Sequence, residues 1–163
     1  SSLQDYGLVD GQVLNLVVVG VEHIYSTKWP GGDKGAFAAR MGGGSVVAWG
    51  HPSCGGDTAK VKELLTNGIE KVYATGYAFA ALKSSGRVVA WGDPARGGDC
   101  SRVAESLRSD VVTISATRRA FAALKSNGSV ITWGDSKSGG DTSSDVLAHG
   151  LSKGVREVVG NDV

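Results

Sequence analysis

Short runs of β-branched and apolar residues recur along the chain at a fixed interval. IEKVYAT (69–75) and VVTISAT (111–117) have the composition of strands. AFAALKS, at 78–84 and again at 120–126, predicts a second strand. A tight turn follows at Gly43-Gly44, Ser85-Gly86 or Asn127-Gly128. Asn-Gly is a strong short hairpin signal and predicts a type I′ turn. SVVAWG, RVVAWG and SVITWG then predict a third strand. Each unit therefore reads as a three-stranded antiparallel meander.

After the third strand the period changes. In TAKVKELLTNG (58–68), Val61, Leu64 and Leu65 fall on one helical face, and Val103 and Leu107 do the same in the next copy. The third copy is weaker, because Gly150 interrupts it. The pattern predicts a short helix closing each unit.

The repeat is regular. AFAA occurs at 36, 78 and 120, WG at 49, 91 and 133, and GGD at 55, 97 and 139, so each set is spaced by 42 residues. The reading is a single repeat domain of 163 residues, a β-rich α+β protein of three βββα units. Residues 1–20 form a degenerate partial unit, and 21–68, 69–110 and 111–154 form units 1 to 3. VREVV, in 155–163, looks like a first strand that could pair with the N-terminal segment. The array would then be propeller-like or closed with pseudo-symmetry.

The predicted meander is apolar on both faces. Phe79 and Ala81 alternate with Ala78, Ala80 and Leu82, and Val89 and Trp91 alternate with Val88 and Ala90. A sheet with one wet face would alternate apolar with polar. The expected cover is the helix on one face and a neighbouring unit on the other.

Composition narrows the function classes. Apolar residues make up 41%, charged residues 20%, and the formal net charge is +1. That balance suits a globular chain and argues against a nucleic-acid partner, which calls for a clustered basic surplus. LNLVVVGV (14–21) is too short for a transmembrane segment. Cys54 and Cys100 occupy inequivalent repeat positions and read as free thiols, and His23, His51 and His149 lack metal-ligand spacing. No nucleophile elbow surrounds Ser45, and the glycine clusters match neither a phosphate loop nor a dinucleotide fingerprint. Nothing argues for catalysis, a metal or a cofactor.

Three groups of residues stand out. Asp57, Asp99 and Asp141 end the GGD corners: each could cap the following helix, or together they could hold a cation. His51 stands where Asp93 and Asp135 stand in the other units, which favours the cap. Trp49, Trp91 and Trp133 recur at strand ends and read as core pillars rather than stacking platforms. Trp29, Pro30 and Asp33 lie in KWPGGDKG, an insertion of six residues that the other units lack, and are the candidate partner-binding residues.

The string AFAALKSNGSVITWGDSKSGGD resembles repeats of the regulator of chromosome condensation (RCC1) type. The features that carry it are Ala81-Leu82, Ser85-Gly86 and Trp91-Gly92 with their counterparts, over about residues 21–160. The family's unit is longer and four-stranded, and about seven units close a propeller. The GGD plus a predicted helix departs from that pattern. It is more similar to a compact variant, ALKSxGSVVTWG…GGD, of dinoflagellate algal and bacterial proteins. The family's chromatin binding and nucleotide exchange are not implied, since no exchange-loop motif is recognisable. The resemblance and the lack of catalytic motifs point to a non-enzymatic protein-interaction scaffold presenting loops on a rigid array. The alternatives are a soluble accessory subunit on a large organellar photosynthetic or respiratory complex, and a lectin-like module. The start at Ser1 agrees with a plastid or mitochondrial location after removal of a presequence, and otherwise with a cytoplasmic one.

Overall fold

The computed structural model describes residues 20–28, 34–141 and 150–160. Among the described residues nine strands form three sheets. The first holds β1 (Val21–Lys28), β2 (Gly35–Met41) and β3 (Val46–Gly50). The second holds β4 (Ile69–Ala74), β5 (Ala78–Lys83) and β6 (Val88–Gly92), and the third β7 (Val111–Ala116), β8 (Ala120–Lys125) and β9 (Val130–Gly134). Each sheet is an antiparallel meander in chain order. The register repeats too: Phe37 pairs with Trp49, Phe79 with Trp91 and Phe121 with Trp133. A shift at the start of each first strand recurs at Val21/His23, Ile69/Lys71 and Val111/Thr113. Such irregularities kink a strand and increase its twist.

The hairpins are not type I′. The Gly44 N–H donates to Met41, Gly86 to Lys83 and Gly128 to Lys125, while the N–H of Met41, Lys83 and Lys125 reaches Ser45, Arg87 and Ser129. Among the described residues only Asp110 has a positive φ without being glycine, so Ser85 and Asn127 do not adopt the left-handed form. The loop is a type I turn closed by a left-handed glycine. The glycine is required twice over. Gly86 has φ +76, and a Cβ on it would stand 2.6 Å from the backbone nitrogen of Asp110 in the next unit.

The predicted helices are 3-10 turns. The first is Lys62–Leu65 and the second Ser101–Val103; the third predicted segment lies mostly in 142–149, outside the described residues. Carbonyls towards the ends of these segments are held by partners in the sheets. Leu64 O accepts from Lys83 Nζ and Ser106 O from Lys125 Nζ, both at 2.8 Å. Leu107 O accepts from the edge N–H of Val88 at 2.9 Å. A segment of about eleven residues has little helix stability of its own, so these tertiary bonds prevail.

The core lies between the sheets. One cluster joins Ala36 and Ala38 of the first sheet to Phe79, Ala81, Val89 and Trp91 of the second. The other joins Ala78, Ala80 and Leu82 of the second to Phe121, Ala123 and Trp133 of the third. At both junctions the later sheet thus turns an aromatic face to the unit before it, and the earlier sheet an alanine face to the unit after it. The second sheet is covered on both faces by neighbouring sheets, not by a helix on one of them. Leu65 and Leu107 wedge into the two junctions from the 3-10 segments.

Candidate functional site

The WG…GGD corner contains two successive turns, not one strand-to-helix step. The residue after Trp-Gly caps the first turn. Asp93 Oδ1 accepts from the N–H of Ala95 at 2.9 Å, Asp135 Oδ1 from Lys137 at 3.0 Å, and His51 Nδ1 from Ser53 at 3.3 Å. Pro52 and Pro94 then open the 3-10 turns Pro52–Cys54 and Pro94–Arg96, and Ser136–Ser138 is their counterpart. A capping acceptor before proline is a turn-start signal legible in the sequence. Left-handed Gly55, Gly97 and Gly139 end these turns.

Asp57 and Asp99 engage the second turn. Asp57 Oδ1 accepts from the N–H of Ala59 and Asp99 Oδ1 from Ser101, both at 2.8 Å. Each closes a local turn ahead of a 3-10 segment, whose own N-cap residues, Val61 and Cys100, make no side-chain cap bond. The bond from Ser101 is the main cause that holds the Asp99 carboxyl below its ordinary pKa. The Asp135 carboxyl is lowered likewise, chiefly by the N–H of Lys137. Asp141 is exposed, with 142–149 beyond it outside the described residues. Among the described residues no three His, Cys, Asp or Glu side chains gather as metal ligands.

Threonines at the ends of the first strands tie the corners down. Thr27 Oγ1 donates to Cys54 O at 3.1 Å, Thr75 Oγ1 to Arg96 O at 3.3 Å and Thr117 Oγ1 to Ser138 O at 3.0 Å. They recur in YST, YAT and SAT, a signal present in the sequence. A cleft of about 430 Å³ between the first two corners is lined by Pro52, Asp57, Lys60, Trp91, Pro94 and Asp99. Beside the corners, Arg96 and Arg119 lie 4.4 and 5.9 Å from the centre of the Tyr77 ring.

The three tryptophans divide. Trp91 and Trp133 are each 4% exposed, whereas Trp49 is 45% exposed and is not a core pillar. The reason is positional. Trp91 Nε1 donates to Gly55 O and Trp133 Nε1 to Gly97 O, both at 3.0 Å, so each indole is roofed by the corner of the preceding unit. No described unit precedes Trp49. Trp29, Pro30 and Asp33 lie outside the described residues; the strands around them pair as far as Lys28 and Gly35.

At the other end, residues 155–160 follow sheet three as β4 follows sheet one. Val155 N donates to Gly128 O at 3.0 Å, as Ile69 does to Gly44 and Val111 to Gly86. Ser115 Oγ donates to Val158 O. Among the described residues no helix is long and apolar enough to cross a membrane.

No family model matches the chain, and no curated protein matches it. Solved structures do. A crystal structure of Kap60 bound to yeast RCC1 (Prp20) is similar at 19% identity and a TM-score of 0.50, over 78% of this chain and 36% of that one. Prp20p from Saccharomyces cerevisiae, described with its binding to Gsp1p and histones, is similar at 22% identity and a TM-score of 0.45, over 63% and 29%. Human WBSCR16 is similar at 23% identity and a TM-score of 0.44, over 74% and 35%. The chain thus spans only 29–36% of the length of these chains. The repeated antiparallel meanders thus share the fold of the repeats in the yeast RCC1 structure.

Proposed function

We propose that the chain is a non-enzymatic protein-interaction module. One observation carries the reading. Ile24, Phe37, Val47 and Trp49 share one face of the first sheet and are 60%, 46%, 55% and 45% exposed. A contiguous apolar face of large side chains is costly in water and marks a surface that meets another macromolecule. Asp57, Asp93, Asp99 and Asp135 of the described corners, by contrast, each accept an internal backbone bond, in keeping with a structural role. The yeast RCC1 of similar fold is bound by a protein, Kap60, in keeping with a protein partner here. The insertion carrying Trp29, Pro30 and Asp33 is a second contact candidate on the same unit.

A more specific form of this reading is an accessory subunit docked on a larger organellar complex. Native electrophoresis of extract from the source organism, with this chain located by mass spectrometry, tests it. Migration with a large complex is expected; migration as a free protein of its own mass overturns the accessory-subunit reading.

A further inference from the structure

The two junctions inside the chain describe what covers an aromatic face of this type. In the second unit the face consists of Val72, Phe79, Val89 and Trp91, exposed by no more than 4%. Its partner is the alanine face and glycine corner of the unit before. Gly55 makes that corner fit: a Cβ there would stand 2.6 Å from Cδ2 of Phe79. Gly97 stands in the same relation to Phe121, also at 2.6 Å. A ring therefore lies directly over a bare glycine at both junctions, and the neighbouring indole bonds the glycine's carbonyl.

Each half of a further junction exists at one end of the described stack. The first unit has the stacked Phe37–Trp49 pair, with ring centres 5.6 Å apart, against 5.3 and 5.2 Å for the two buried pairs. The third unit has the corner, and a Cβ on Gly139 would meet nothing within 4 Å. A cavity of about 60 Å³ opens there between Ala120, Ala122, Ser138, Gly139, Val158 and Gly160.

We propose that this chain associates head to tail with a second copy of itself, the Phe37–Trp49 face of one copy seating on the Gly139 corner of the other. Phe37 covers Gly139 as Phe79 covers Gly55, and Trp49 Nε1 donates to Gly139 O. Residues 155–160 stand where the incoming β1 must lie. They form no strand and Val159 is 80% exposed, whereas β1 pairs with β2 over its whole length, so 155–160 give way. The contact is heterologous, using different surfaces on the two partners. It goes beyond the reading above, because a chain bound to a larger complex need not bind itself.

Sedimentation velocity of the full chain over a range of concentrations tests the proposal. Species above the monomer are expected to grow with concentration. Trp49→Asp, at one end, and Ala122→Leu or Gly139→Ala, at the other, should each abolish them; two corner variants guard against one misfolding, and circular dichroism melts check all three. The decisive sample is an equimolar mixture of Trp49→Asp with a corner variant. Each carries one intact half, so the mixture should form one-to-one dimers and nothing larger. Deleting 155–163 should strengthen association by freeing the seat. A monomer at every concentration overturns the proposal, as does association lost by Trp49→Asp but untouched by folded corner variants, which would mean a face-to-face dimer. Neither result would bear on binding to a different protein.

Discussion

Trp91 Nε1 bonds the carbonyl of Gly55 across the first sheet junction, at 3.0 Å and 36 residues earlier in the chain. The indole, the Phe79 ring stacked on it and the glycine beneath form one closed assembly. Removing the indole leaves a cavity and an unpaired buried carbonyl. Trp91→Ala should therefore cost about 3–5 kcal/mol, whereas Trp49→Ala, on the exposed face, should stay within about 1 kcal/mol. Urea denaturation of the two variants checks the contrast; equal losses would contradict it.

The glycines of the corner should rank by what covers them. Gly97→Ala places a methyl 2.6 Å from the Phe121 ring and should push that ring out of the junction. Gly139→Ala meets nothing within 4 Å and carries only the left-handed strain, about 1–2 kcal/mol. The expected order of melting temperatures is wild type, Gly139→Ala, then Gly97→Ala by a clear margin.

Asp110 has φ +66 at a place where the other units use Gly68 (φ +69) and Gly154 (φ +80). An aspartate tolerates this conformation better than most residues but not without strain. Asp110→Gly should leave the fold intact and change stability by less than about 1 kcal/mol, with strain relief opposing the added freedom of the unfolded chain. Asp110→Val, whose branched Cβ resists this region, should be the damaging variant in the same melt.

The acid side of the stability profile should report Asp99. Its carboxyl is held below the ordinary value by the Ser101 N–H, so the folded state favours the ionised form. The contribution is fully present above the unfolded carboxylate pKa, about 3.9, and is lost as pH falls through the lowered folded value. Asp99→Ala should cost about 1 kcal/mol near neutral pH and less in acid below the lowered folded value, where the wild-type carboxyl is itself neutralised. Denaturation midpoints at the two pH values measure the difference; a constant gap would mean that the charge is irrelevant.

For the insertion, Trp29→Ala should leave the melting temperature nearly unchanged and weaken a partner's hold, read by co-migration in native electrophoresis. A large loss of stability would place Trp29 in the fold instead of at a contact.

Local pattern alone located the three meanders, because side-chain alternation and the 42-residue period are properties of the chain itself. The same alternation separated Phe79 and Trp91 from Ala78 and Ala80, and the two groups do face opposite neighbours. The likeness in fold to yeast RCC1 was legible in the motif content, and Asp57 and Asp99 do accept from nearby backbone N–H groups, in turns ahead of the 3-10 segments. Three matters lay beyond the pattern. The segment after GGD carries helical periodicity, yet Lys83 and the edge of β6 claim its carbonyls, and only the packed structure brings those partners within reach. Asn127-Gly128 has the composition of a type I′ turn, but the following unit presses on the glycine and a left-handed residue at that point alone meets both demands. Trp49 has the sequence context of Trp91 and Trp133 and a different fate. A side chain's neighbours along the chain set the face on which it emerges, whereas burial depends on a second surface arriving to cover it, and that is decided by the order of units in space.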